Sequence, residues 1–599
     1  MSKKQIQPQN NSHSKFGFKA RAACLAGTIA LSGTLVFSTI PTAAIAETTT
    51  DVATTQTAAD QTSGSAPSMP SGTAPDGGSE SASGAGGGAN TMTYDYSGSY
   101  SAAITADGES VSSDGETYDA TETDENAALV ENGGALALTG VTLTKSGDDT
   151  NGDNCNFYGL NSILLAVGEG STATVSDMTL SATSEGSNGI FSTDSATVLA
   201  NGVQINTTAG NSRGLDATYG GTILAADVDI STQGDHSGAI ATDRGGGYIS
   251  VVDATLSTEG SGSPLIYSTG DIEVSNVTGT ASGSQIAGME GLNTILINNS
   301  SLTSTNEGTT GSDPVANGVI IYQSTSGDAE STTGETATFQ AANSTLTSSI
   351  TSGSMFYLTN TTADIVLSNT TLDFDSDAAD LLLAAGNDSN NWGSAGSNGA
   401  TVKMTLMGED VSGNVEADTI SSATLYLTDN TTWTGATVID ENSAGSTSDA
   451  PITVNVDSTS TWVVTESCTL SNLTVADGGQ VVDENGNTVT IVADGQTVVQ
   501  GDSDITVTVN GTYSTDYDES GEGTLSTDLI DRSAFDEAFG TDTTWTMGGS
   551  SDTTEESTDT STAGTDAETT STTSTQEADT NPIVAFFQGI GTWFSSLFS

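Results

Sequence analysis

The chain has 599 residues, with 76 Asp and Glu against ten Lys and Arg, a formal net charge of −66. Binding to phosphate backbones or anionic membrane surfaces rests on clustered cations, so nucleic-acid binding is excluded. Two histidines and three cysteines in the whole chain supply neither a zinc-type ligand set nor a disulfide framework.

Lys3, Lys4, Lys15, Lys19 and Arg21 precede an apolar run over 22–40, followed by "PTAAIA" and Glu47. This order predicts a secretory signal peptide over 1–46, with Ala44 and Ala46 at the cleavage site. Cleavage removes five basic residues and Cys24. The mature chain keeps Lys145, Arg213, Arg244, Lys403 and Arg532 against 76 acidic residues, a net charge of −71. Cys155, Cys468 and His236 remain. No cofactor is implied, although a calcium site built from Asp oxygens stays open. Residues 47–93, rich in Thr, Ser, Gly and Pro, read as a disordered linker.

From 94 onward one phrase keeps returning: "VSDMTLSA", "AADVDIST", "VVDATLST", "ILINNSSLTST", "AANSTLTS", "LSNTTLDF". Aligned on Asp177, Asp227, Asp253, Asn276, Asn299, Asn343 and Asn369, the intervals are 50, 26, 23, 23, 44 and 26. The two long intervals are double units, and Gly202 fills the first. A period of 23–26 residues with β-branched alternation predicts an all-β parallel solenoid of about three short strands per turn. The Asn and Asp residues suit a corner, because their side chains bond locally and tolerate left-handed φ. Leu180, Ile205, Ile230, Leu256, Leu302, Leu346 and Leu372 would stack as an inner column, since no single turn can bury them alone. The main solenoid spans 94–400, with loops expected at 147–158, 323–334 and 387–400.

A second set of pairs, Asn188-Gly189, Arg213-Gly214, Ser237-Gly238, Ser263-Pro264 and Asn317-Gly318, opens short strands. Taking Gly189, Gly214, Gly238 and Pro264 as equivalent places Asp194, Tyr219, Asp243, Thr269, Glu290 and Gln323 in one outward column. Arg213, Asp216, His236 and Arg244 fall on the same or neighbouring rungs. Arg213, Asp216, Tyr219, His236, Asp243 and Arg244 are therefore the carbohydrate-binding candidates, with Tyr219 offering a stacking face. Asp243 and Glu290 would stand two rungs apart, about 10 Å at ~4.8 Å per rung. That lies near the upper end of an inverting carboxylate pair, roughly 6.5–9.5 Å, and makes them candidate catalytic residues under an alternative, enzymatic reading.

Residues 401–515 have less regular beats and read as C-terminal rungs and a cap, with Trp433 and Trp462 plugging the coil. Cys155 and Cys468 fall about a dozen coils apart and cannot bridge. Residues 516–580 read as a second disordered linker, acidic and rich in Ser and Thr. The tail, 581–599, places Ile583, Phe586, Phe587, Ile590, Trp593, Phe594, Leu597 and Phe598 at helical spacing. It predicts a short amphipathic helix, with envelope association through 582–598.

Two resemblances follow. "DNTTWTGA" (429–436) and "STSTWVVTESCTLSNLTVADGGQVV" (458–482) resemble the C-terminal rungs of autotransporter passenger domains. The barrel is not part of the likeness, since the chain after 515 has the wrong composition for one. Over about 130–440, "NFYGLNS", "SRGLDATYGG", "TDRGGG", "IYSTGDI", "YQSTSGDA" and "NWGSAGSNG" resemble secreted bacterial adhesin-like proteins of the right-handed parallel β-helix, pectate-lyase-like fold. The likeness implies a bacterial, secreted or cell-surface protein that meets glycans or a surface protein partner. A polysaccharide-degrading hydrolase or lyase is the alternative.

Overall fold

The corner residues dictate how the chain turns. In the computed structural model, which describes residues 93–324, 336–390, 392–444 and 451–549, Asp177, Asp227, Asp253, Asn276, Asn299, Asn343 and Asn369 all have φ between +48° and +57°. Glycine needs no side-chain tolerance there, and Gly202 takes the same corner at φ +66°. Backbone bonds extend the column to Gly115, Gly140, Gly408 and Asp429. Side chains tie neighbours together: Asn369 Nδ2 donates to Asn343 Oδ1 at 2.8 Å, and Asn276 Nδ2 donates to Asp253 Oδ1.

The chain is an all-β parallel β-helix. One sheet of 13 parallel strands starts at Ala102–Asp107 and ends at Thr437–Asp440. A second parallel array contains long strands such as Thr197–Thr207 and Gly247–Thr258, each bent at its Gly or Asp corner. Across the bend, Leu180, Ile205, Ile230 and Leu256 stack rung on rung, and Leu302, Leu346 and Leu372 continue the column. These side chains enter one continuous core, the hydrophobic effect acting on the whole stack rather than on any single turn. Near its C-terminal end the interior holds Trp433 and Trp462, fully buried and stacked at 5.0 Å. Their Nε1 groups donate to Gly413 O (2.9 Å) and Gly435 O (3.0 Å), so the indoles are buried with their polar atoms satisfied. Cys155 and Cys468 are both free thiols.

Serines set the register of the other corner. Ser187 N donates to Ser212 Oγ, Ser212 N to Ser237 Oγ and Ser237 N to Ser263 Oγ, each at 2.9 Å. Consequently Ile190, Leu215, Ile240 and Ile266 are equivalent inward residues. The alignment on glycines is therefore one residue out at Gly238 and Pro264, whose true equivalent is Arg213 rather than Gly214. The ladder and the inward aliphatic column, repeated in each rung, override the shared glycine.

The chain beyond 515 also departs from expectation. Instead of a linker, residues 516–549 form a strap that runs back along the shaft. It follows one outward column in reverse, through Tyr426, Thr405, Val366, Gln340, Leu296, Glu273, Ser250, Leu224 and Leu199. Nine rungs span about 38 Å at ~4.8 Å each. Gly523 N donates to Thr405 Oγ1 at 2.8 Å. Gln340 exchanges hydrogen bonds with Thr524 O and Ser526 N. Ile530 N donates to the Glu273 carboxylate at 3.0 Å. Phe535, on the short helix Ser533–Phe539, is buried against Leu199, Leu224 and Ala226. The chain then returns, and Asn299 Nδ2 donates to Gly549 O at 2.8 Å. The signal peptide, most of the first linker, residues 550–580 and the tail helix lie outside the described residues.

Candidate functional site

The short strands Leu215–Ala217, Ile240–Thr242 and Ile266–Ser268 point Asp216, Ala241 and Tyr267 outward on successive rungs. Arg213 precedes the first of these strands. Its Nη2 donates to Asp243 Oδ2 at 2.9 Å and its Nη1 to Asn156 Oδ1 at 2.8 Å, while Nη1 lies 3.4 Å from Asp216 Oδ2. Asn156 comes from the helix Gly152–Tyr158, which Asn151 caps by accepting Asp153 N. Asp216 is fully buried. Burial pushes its carboxyl well above the usual carboxylate range, although Arg213 opposes the shift.

Further along, Tyr267 Oη and Tyr322 Oη donate to Glu290 Oε2 at 2.7 and 3.1 Å. Tyr322 stacks on Trp392 with ring centres 4.1 Å apart. Burial, reinforced by Glu290, keeps both phenols protonated and hence donors. Asp243, Thr269 and Glu290 do occupy one column, with the two carboxylates two rungs apart, and Glu290 pairs with Tyr322 rather than Gln323. Both carboxylates are buried and engaged by these partners.

Tyr219 and Asp194 leave that column. The serine register sets Thr218 opposite Asp243 and Tyr219 opposite Arg244, whose carbonyl accepts Tyr219 N at 3.1 Å. Arg244 lies over the Phe157 ring at 3.7 Å. His236 sits on a turn at φ +54° with its ring beside Gly262, and burial followed by the Arg213 charge holds its pKa below the usual imidazole value. The candidates thus divide into a buried polar row (Arg213, Asp216, Asp243, Glu290), an aromatic wall with Tyr219 and Arg244, and a histidine on a neighbouring turn within reach of the Arg213 charge.

Tyr219 opens onto a groove of about 710 Å³ lined by Tyr94, Asp194, Tyr219, Tyr248, Asp271 and Asp528, with small residues between them. Tyr219 stacks on Tyr158 at 5.6 Å and 6° and meets Tyr94 edge-on at 5.5 Å. Gly245 permits this: a Cβ there would lie 2.5 Å from the Tyr219 ring. Tyr248 is 45 % exposed. The C-terminal strap supplies the far wall through Ser526 and Asp528. Asp194, Tyr219, Tyr248, Asp271, Thr294 and Thr338 come from six successive rungs, so the groove runs about 24 Å along the shaft at ~4.8 Å per rung.

Tyr94, Tyr248, Asp271 and Asp528 were not legible as site residues. A signal existed for two of them. In the outward column Thr172, Thr197, Thr222, Tyr248, Asp271, Thr294, Thr338, a run of threonines is interrupted at adjacent rungs by a tyrosine and an aspartate. No group of three His, Cys, Asp or Glu side chains among the described residues is arranged to hold a metal ion.

Compared with protein-family models, curated proteins and solved structures, the chain gives no significant match. Of the resemblances above, the parallel β-helix is the part that the structure carries.

Proposed function

We propose that this is a secreted bacterial cell-surface protein that acts by adhesion, binding glycans or a glycan-bearing partner along the lateral groove. The observation that carries this reading is the groove itself: Asp194, Tyr219, Tyr248 and Asp271 follow one another on successive rungs, with Tyr94 beside them and Asp528 of the strap opposite. Aromatic faces provide apolar contact for sugar rings, and carboxylates accept hydrogen bonds from hydroxyls. The volume falls within the range typical of ligand sites, about 300–1,000 Å³. The envelope location rests on the signal-peptide pattern and the hydrophobic tail.

The alternative, a polysaccharide-degrading enzyme using Asp243 and Glu290, requires both carboxylates to exchange their present partners, Arg213 and the two tyrosines, for substrate. Screening the mature chain on a glycan array, together with reducing-end release by wild type and Asp243→Asn, separates the two. Binding lost in Tyr248→Ala without turnover supports adhesion. Turnover abolished by Asp243→Asn overturns it in favour of the enzyme.

A further inference from the structure

The groove has a chemical bias. Its lining contains Asp194, Asp271 and Asp528 and no basic residue, so a uronate, sialylated or phosphorylated ligand would enter against like charge. Asp271 is the most constrained of the three. Its Oδ1 is buried and accepts no hydrogen bond among the described residues. The same outward column shows what this position lacks. Three rungs on, Asp364 has Lys403 at 3.1 Å, whereas Asp271 shares its groove with Asp528. Consistent with a missing counter-charge, burial and then Asp528 push the Asp271 carboxyl up to about 7.

Resting on the glycan-binding reading, we infer that the groove selects an amino-bearing saccharide, with an ammonium group seated against Asp271 and Asp528 and a sugar ring lying on the exposed Tyr248. The ammonium supplies the counter-charge that Asp271 lacks, and a charge-assisted hydrogen bond to a carboxylate is among the stronger polar contacts. A six-rung groove accommodates a short oligomer rather than one ring. The open face of Tyr248 is available without displacing any packed side chain.

The test is calorimetric titration of the mature chain at pH 6.5 and low salt with four probes. These are a glucosamine tetrasaccharide, its N-acetylated counterpart, a galacturonate tetrasaccharide and tetralysine. The glucosamine oligomer is expected to bind at least about tenfold more tightly than the N-acetylated one. Asp271→Asn, with Asp528→Asn as a second variant, is expected to abolish that preference without lowering the melting temperature of the shaft. Equal affinity for the N-acetylated oligomer, or a preference that survives both substitutions, overturns the inference and leaves the glycan reading standing. Tighter binding of tetralysine than of any sugar replaces the saccharide with a basic peptide. Absence of binding to every saccharide removes both the inference and the reading beneath it.

Discussion

Arg532 Nη1 donates to both the carbonyl and the Oγ of Ser250, at 2.8 and 3.0 Å, across 282 residues of sequence. Its Nη2 reaches the Ala225 carbonyl one rung away at 3.0 Å, and its Nε reaches Thr543 Oγ1 at 2.8 Å. A guanidinium, with five donors in a fixed plane, can meet two rungs and its own strap at once. Arg532→Ala is expected to weaken docking of the strap by about 2–4 kcal/mol, the combined scale of lost charged hydrogen bonds and packing. Amide exchange should rise over 523–548 and stay slow in the inner column. Unchanged exchange over that segment would show that the guanidinium does not hold the strap.

The same region carries a pH dependence. Burial and then neighbouring acids push Asp271 up to about 7 and Glu273 up to about 8. The folded state therefore holds protons that the unfolded chain releases near pH 4. Where the folded state binds more protons, stability falls as pH rises, here from about pH 4 through pH 8. Asp313, Glu409 and Glu416, each raised to about 7 with burial first among the causes, act in the same direction. Melting temperature should decline between pH 5 and pH 8.5, and Glu273→Gln should flatten part of that decline. A melting temperature that climbs over the interval would contradict the assignment.

The corner ladder admits a direct comparison. Asp227 sits at φ +51°, one rung from Gly202 at +66°. Asp227→Gly keeps a residue that accepts this conformation and should shift stability by less than about 1 kcal/mol. Asp227→Val places a β-branched residue in left-handed geometry and should cost about 1–2 kcal/mol or more. Thermal melts of the two variants check the ordering, and equal melts would mean that the corner is not under conformational constraint.

Trp433 and Trp462 stack in the interior of the C-terminal rungs, each bonded to a glycine carbonyl. Trp462→Ala opens a large cavity and should cost about 3–5 kcal/mol. Because solenoid stability is a sum over neighbouring rungs, the loss should appear first as exchange near 452–483 rather than as global unfolding. Simultaneous loss of protection at 126–145 would show the stack to be more cooperative than this.

The site was only partly readable in advance. Asp243 and Glu290 fall two rungs apart as the spacing implied, because both follow the inward aliphatic residue by the same number of positions. Tyr219 did not join them, because a glycine match stood in for the serine ladder, and a one-residue slip sends a side chain to a different neighbour. The strap also left a trace that composition averaged over 516–580 conceals. Leu525, Leu529, Ile530, Phe535, Phe539, Trp545 and Met547 all precede 550, and no large apolar residue lies between 550 and 580.

Sequence alone was enough to specify the coil, its corner residues and its inner column, since every rung makes the same contacts and each repeat writes them again. The groove, the strap and the pairing of Arg532 with Ser250 came from the tertiary structure. Those contacts occur once, between segments hundreds of residues apart, and a contact made once leaves no period in the chain that encodes it.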